Sequence, residues 1–214
     1  MTTIRTNASP RFGVAERLKN VAPSSTLAIT AKAKELKTQG KPVISLAAGE
    51  PDFPAPPEIH RAMIVALDQN FTKYTPTSGV PELKDAVLAK IKRDQGLAIA
   101  RSNVCISCGA KHALYNIFQA TLNPGDEVII PRPYWVSYPD MIHLAGGVPV
   151  PVDTSGNRYI MTRDLIEKAI TLKTRIVVLN SPSNPTGAVL SENHVKDIAA
   201  LIQERALYCI SDEI

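Results

Sequence analysis

Apolar residues recur at helical spacing in several stretches and at strand-like density in others. Residues 24–39 read as a helix capped by Ser24 or Ser25, with Leu27, Ala28, Ala31 and Leu36 forming its stripe and Gly40 ending it. Lys32, Lys34 and Lys37 fall mostly off that stripe and read as a solvated face. The run 43–46 predicts a short strand, followed by a proline-rich loop. Helices follow at 57–70, opened by Pro57, and from Pro81 to about Gln95, ended by Gly96. From residue 104 onward strands and helices alternate. Strands are expected at 104–107, 127–130, 148–152, 175–179 and 206–210, and helices at 110–121, 135–145, 162–170 and 191–205. Runs such as Ile176-Val177-Val178-Leu179 lack polar alternation, which suits strands buried on both faces. The alternation predicts an α/β fold with a mostly parallel sheet flanked by helices.

Composition narrows the function classes. The chain has 214 residues, 44% hydrophobic and 21% charged, which excludes a disordered tail or a fibre. A net charge of +4, interspersed along the chain, gives no nucleic-acid footprint. No apolar stretch reaches the ~18 residues of a membrane span, and the first twenty residues lack a signal-peptide core. A cytoplasmic location is expected. The Cys105/Cys108 pair stands alone, so it reads as core cysteine rather than as a zinc or redox pair, and no metal site is expected. No G-x-G-x-x-G follows a predicted strand, which argues against a dinucleotide-binding domain.

In open parallel sheets, ligands bind beyond the carboxyl ends of the strands. That rule selects the loops at Cys108–Lys111, Pro131–Trp135, Asn180–Gly187 and Ser211–Glu213. They bring a helix N-terminus for an anion, the single Trp, two asparagine amides and a carboxylate. A phosphate site, an aromatic face for a flat ring and an acid that keeps a ring nitrogen protonated together describe pyridoxal 5'-phosphate.

The segments PSSTLAITAKAKEL, SLAAGEPDF, KYTPTSGVPEL, GAKHALYN, PYWVSYPDM, NSPSNPTGAVL and SDEI occur in that order. This ordered set resembles the class I aminotransferases, the fold-type-I pyridoxal-phosphate enzymes, and within them the bacterial aspartate aminotransferases. The resemblance implies an N-terminal arm and part of a small domain at 1–48, and the first part of the cofactor-binding large domain at 49–214. It implies amino-group transfer between aspartate and a 2-oxo acid, in a homodimer. By the resemblance, Gly109, Ala110 and Lys111 form the phosphate turn, Trp135 stacks on the cofactor ring and contacts substrate, and Asp212 pairs with the ring nitrogen. Asn184 meets the ring's phenolic oxygen and the substrate carboxylate, with Asn180 nearby. Tyr74 reaches the phosphate of the other subunit. Gly49 offers its backbone to the substrate carboxylate, and Ser24, Thr26 and Lys111 favour an acidic side chain. Ala110 departs from the usual turn, at a cost only if its position needs φ > 0.

The family's Schiff-base lysine follows the Asp-Glu-Ile segment in a Ser-Lys context, and none of the thirteen lysines here has that context. No catalytic lysine is therefore expected within the 214 residues, and its place is expected beyond Ile214. The sequence reads as the N-terminal half of such an enzyme, expected to be unstable and inactive alone. The 206–210 strand would be a bare edge, because strands of the other half separate it from 104–107 in the family. Another class I transaminase or a β-lyase of the same fold would share these motifs. A non-catalytic product of a broken gene, or a half-protein completed by a second chain, is the reading from a different class.

Overall fold

The computed structural model describes residues 13–21, 23, 25–46 and 49–213. The chain divides into two compact units, one formed by residues 1–22 with 110–214 and the other by 23–109.

The first unit carries the sheet. Four parallel strands, β1 (Glu127–Arg132), β2 (Val148–Asp153), β3 (Thr174–Asn180) and β4 (Tyr208–Asp212), lie in the order β2-β1-β3-β4. Helices α5 (Ser137–Leu144), α6 (Arg163–Ala169) and α7 (Glu192–Glu204) make the crossovers, and α4 (Ala110–Thr121) precedes β1. Alternate strand residues enter opposite layers. Val128, Ile130, Ile176, Val178 and Ile210 pack with Leu114 and Phe118 of α4 and with Tyr138, Met141 and Ile142 of α5. Ile129, Val152, Val177 and Leu179 pack with Ile166 of α6 and with Ile198 and Leu201 of α7. Both faces of the sheet are thus covered, which is why β1 and β3 read as continuous apolar runs. Each fully buried aliphatic side chain in these layers contributes roughly 1.5–3 kcal/mol.

Most elements fall where the periodicity puts them, and α4 has the expected bounds. The last strand begins two residues later than expected. After α7 the chain turns through Arg205 and Ala206 (φ 51°), with Leu207 N–H bonded to Ile202 O at 3.0 Å, so the helix's closing turn consumes the start of the apolar run. Asp212 consequently ends β4 instead of following it. α7 starts with Ser191 accepting from His194 N–H at 3.3 Å, while the His194 ring receives Ser191 N–H.

The second unit holds α1 (Ser25–Thr38), α2 (Pro57–Asp68) and α3 (Pro81–Gln95). The strands expected at 43–46 and 104–107 are not formed. A strand needs a laddered neighbour for its backbone groups, and among the described residues none pairs with these runs. Cys105 and Cys108 are exposed, so the core reading of that pair is corrected. Among the described residues of this unit only Ala33 and Lys84 are buried, and α2 buries nothing.

Candidate functional site

The chain leaves β1 toward β2 and returns on the other side to β3 and β4. Such a reversal leaves a crevice at the carboxyl ends of the strands on either side of it. Arg132, Asn180 and Asp212 stand at those ends.

Asp212 is the centre of the arrangement. Its Oδ2 accepts a hydrogen bond from the Tyr138 hydroxyl of α5. Its backbone carbonyl accepts from Asn180 Nδ2 at 2.9 Å. Asn180 Oδ1 accepts the Asn184 N–H at 2.6 Å. One hydrogen-bonded line therefore runs from α5 across β4 and β3 to the loop after β3. Tyr138 also meets Trp135 edge to face, with ring centroids 5.4 Å apart and planes at 89°. Lys111 of α4 places Nζ 5.0 Å from the Trp135 ring centroid, a cation–π contact that joins the start of α4 to the same cluster.

Of the residues singled out in the sequence, the structure brings together Lys111, Trp135, Asn184 and Asp212. Ala110 is the first residue of α4, whose opening turn presents unfilled backbone N–H groups. Gly109 takes the left-handed conformation there (φ 86°), whereas Ala110 is not among the positive-φ residues. The alanine at 110 is therefore compatible with its backbone. Gly49, Thr26, Tyr74 and Gly109 belong to the second unit, where Tyr74 is exposed. Ser24 and Ile214 lie outside the described residues.

Two participants have no role assigned by the sequence. Tyr138 follows Trp135 by three positions in an apolar helical stretch, a spacing that puts both on one face. Asn180, expected only to lie near Asn184, follows the apolar run Ile176–Leu179 at the end of β3 and is 8% exposed. Arg132 is already engaged, its guanidinium 2.8 Å from Asp153 at the end of β2. Hydrogen bonds from the Ser155 N–H, then the Ser155 hydroxyl and then Arg132 hold the Asp153 carboxyl's pKa down to about 2. A cleft of about 520 Å³ lined by Asp153, Arg163, Asp164, His194 and Asp197 lies between α6 and α7, and none of the candidate residues lines it. Among the described residues no acidic, histidine or cysteine group forms a metal-binding cluster, and no helix is long and apolar enough to cross a membrane.

Burial and then the neighbouring Asp212 carboxylate push the Tyr138 phenol well above its ordinary range. A neutral phenol thus belongs to the folded state. Its contribution to stability is fully present below the unfolded value of ~10 and is lost as pH rises through the higher folded value. Alkaline titration should show the phenolate signal of Tyr138, identified by difference against Tyr138→Phe, appearing only together with loss of the near-ultraviolet circular dichroism. Ionisation of Tyr138 near pH ~10 with the fold intact would refute the buried pairing.

Comparison with known proteins gives a consistent result. Residues 41–214 match the family described as aminotransferase class I and II. An aspartate aminotransferase of Bacillus sp. (strain YM-2) is 52% identical over 202 residues, covering 94% of this chain and 52% of the relative. The aspartate aminotransferase of Bacillus subtilis is 47% identical over a similar span. Among solved structures, the Thermus thermophilus aspartate aminotransferase with maleate superposes with a TM-score of 0.92 at 44% identity, over 95% of this chain and 53% of that one. The chain spans about half the length of the curated relatives it matches.

Proposed function

Because the chain belongs to the aminotransferase class I and II family, we propose that it is the cofactor-binding portion of an aspartate transaminase, which moves the amino group of aspartate to a 2-oxo acid using pyridoxal 5'-phosphate. Asp212 carries this reading. Tyr138 takes one carboxylate oxygen, and Oδ1 has no partner among the described residues, so it remains available to a cationic ring nitrogen. The donor set around it fits the cofactor. Ala110 and Lys111 in the opening turn of α4 offer backbone N–H groups and a cation where an anion would sit, and Gly109 makes the turn into the helix, its own N–H bonded to Ser107 O at 2.9 Å. Trp135 offers a flat face, and Asn184 an exposed amide at the adjoining loop.

When bound, pyridoxal phosphate supplies an electron sink for the bond-breaking step at the substrate Cα. The chain's own residues do the rest by position and charge. Asp212 holds the proton at the ring nitrogen. The start of α4 and Lys111 fix the phosphate end, and Trp135 limits the tilt of the ring. In this proposal Gly49 and Asn184 bind the substrate carboxylate, and Ser24, Thr26 and Lys111 select an acidic side chain. Tyr74 completes the phosphate site of the second subunit in a cytoplasmic homodimer. Residues 1–48 belong to a small domain and 49–214 to the large one, and the lysine that takes the substrate proton comes from sequence beyond Ile214. The chain alone is then inactive.

A full-length protein carrying this segment should exchange amino groups between aspartate and a 2-oxo diacid, while the 214-residue chain should not. A full-length protein that instead cleaves a cysteine thioether to a thiol, pyruvate and ammonia would be a β-lyase, and one inert toward all amino acids would overturn the transaminase reading. Prephenate belongs among the tested acceptors, since a 44% identical relative from Thermus aquaticus is described as a probable aspartate/prephenate aminotransferase.

A further inference from the structure

We propose that Asn180 is a positioning residue that sets the spacing between Asp212 and Asn184, and so the alignment of the two groups that hold the nitrogen and the phenolic oxygen of one ring. The functional half of this proposal rests on the cofactor reading above; its geometric half does not.

Asn180 and Asp212 are register partners at the ends of β3 and β4. A parallel ladder ends there, and the last carbonyl of β4 needs a donor that the strand itself no longer supplies. Asn180 Nδ2 fills that need, donating to Asp212 O at 2.9 Å, with Ser181 N–H a longer second donor at 3.4 Å. The other end of the same amide does a different task. Oδ1 accepts the Asn184 N–H at 2.6 Å and thereby fixes where the loop places that residue. The loop is braced further on, by Ser183 N–H to Ala188 O at 2.8 Å and by Leu190 N–H to Ser181 Oγ at 3.0 Å, but neither bond touches Asn184 or Asp212. Asn184 is itself exposed, so packing does not orient it.

Only an amide of this length offers one donor and one acceptor in a fixed plane. Aspartate at 180 would keep the acceptor for Asn184 but turn a carboxylate oxygen toward the Asp212 carbonyl. Leucine would fill the same space and supply neither group. The two substitutions therefore separate the two halves of the clamp.

The test uses a full-length protein that carries this segment. Amide hydrogen exchange read by NMR should show the Asn184 N–H exchanging about tenfold faster or more in Asn180→Leu, with Asn180→Asp close to the parent. The Ile129 amide in the core of β1 should be unchanged in both, which reports that the fold survives. Pyridoxamine 5'-phosphate labelled with nitrogen-15 in the ring is the second probe. Both variants should bind it about tenfold more weakly than the parent, with a displaced ring-nitrogen resonance, Asn180→Asp through the Asp212 end alone. Unchanged Asn184 exchange in Asn180→Leu would overturn the clamp. Equal affinity and an equal ring-nitrogen shift in parent and variants would overturn its role at the site. A parent chain that shows the exchange effect yet binds no pyridoxamine phosphate would keep the clamp and reject the cofactor reading.

Discussion

Asp212→Asn, introduced into a full-length protein that carries this segment, is expected to lower kcat/KM for aspartate by ~10²–10³-fold with no loss of fold. The substitution is chosen because it removes charge and little else. The asparagine oxygen still accepts from the Tyr138 hydroxyl, and the backbone carbonyl still accepts from Asn180, so both anchors of the residue survive. What disappears is the negative charge that, in the proposed site, would make a protonated ring nitrogen favourable. A neutral ring withdraws electrons less well, and the barrier at Cα rises. Steady-state kinetics with circular dichroism on the same samples checks this. Turnover equal to that of the parent would remove Asp212 from the cofactor site, and Asp212→Glu, which keeps the charge, should retain more activity than Asp212→Asn.

In the 214-residue chain on its own, the amides of β1 and β3 are expected to exchange with solvent at least ~10³-fold more slowly than those of α2. The contrast follows from what each element buries. Val128, Ile129, Ile130, Ile176, Val177 and Val178 are all fully buried between two helical layers. On α2, Ile59, Met63, Ile64, Val65 and Leu67 are each more than half exposed. A helix of twelve residues with no buried face has little besides its own backbone to hold it, and isolated helices shorter than ~12–15 residues are marginal in water. Hydrogen exchange with mass-spectrometric or NMR detection reads the ratio directly, and limited proteolysis should cut first within 23–109. Comparable protection in α2 and β1 would show that the second unit stabilises itself and would remove the expected instability of the isolated chain.

The alternation of apolar runs with helical stripes determined the α/β class, the parallel sheet and the flanking helices. Burial on both faces selects uninterrupted β-rich runs, and that preference is local enough to be read one segment at a time. The loops that end β1, β3 and β4 were legible for the same reason: once the strands are parallel, their carboxyl ends share an edge, and Trp135, Asn184 and Asp212 fall there. The ordered motifs carried the family, which the comparisons establish. The placements of Ser24, Thr26, Gly49 and Tyr74, and of a lysine beyond Ile214, rest on resemblance, and they stand as proposals.

Tertiary structure decided what depends on partners far away in sequence. The runs at 43–46 and 104–107 have strand-like composition but no ladder, and a strand is defined by its neighbour. The start of β4 moved to Tyr208 because the closing turn of α7 competes for the same residues. Tyr138 falls within the helix expected at 135–145 with no role assigned to it, and only the folding of α5 over the sheet, 74 residues away from Asp212 in sequence, gave its hydroxyl a carboxylate to hold. Asn180 became a two-ended connector only when β4 came to lie beside β3. Hydrophobic periodicity is a property of one segment, whereas a hydrogen bond between segments needs both ends in place. The sequence by itself therefore specified the layers and the edge where the chemistry belongs, and the packed structure alone specified which polar groups hold one another there.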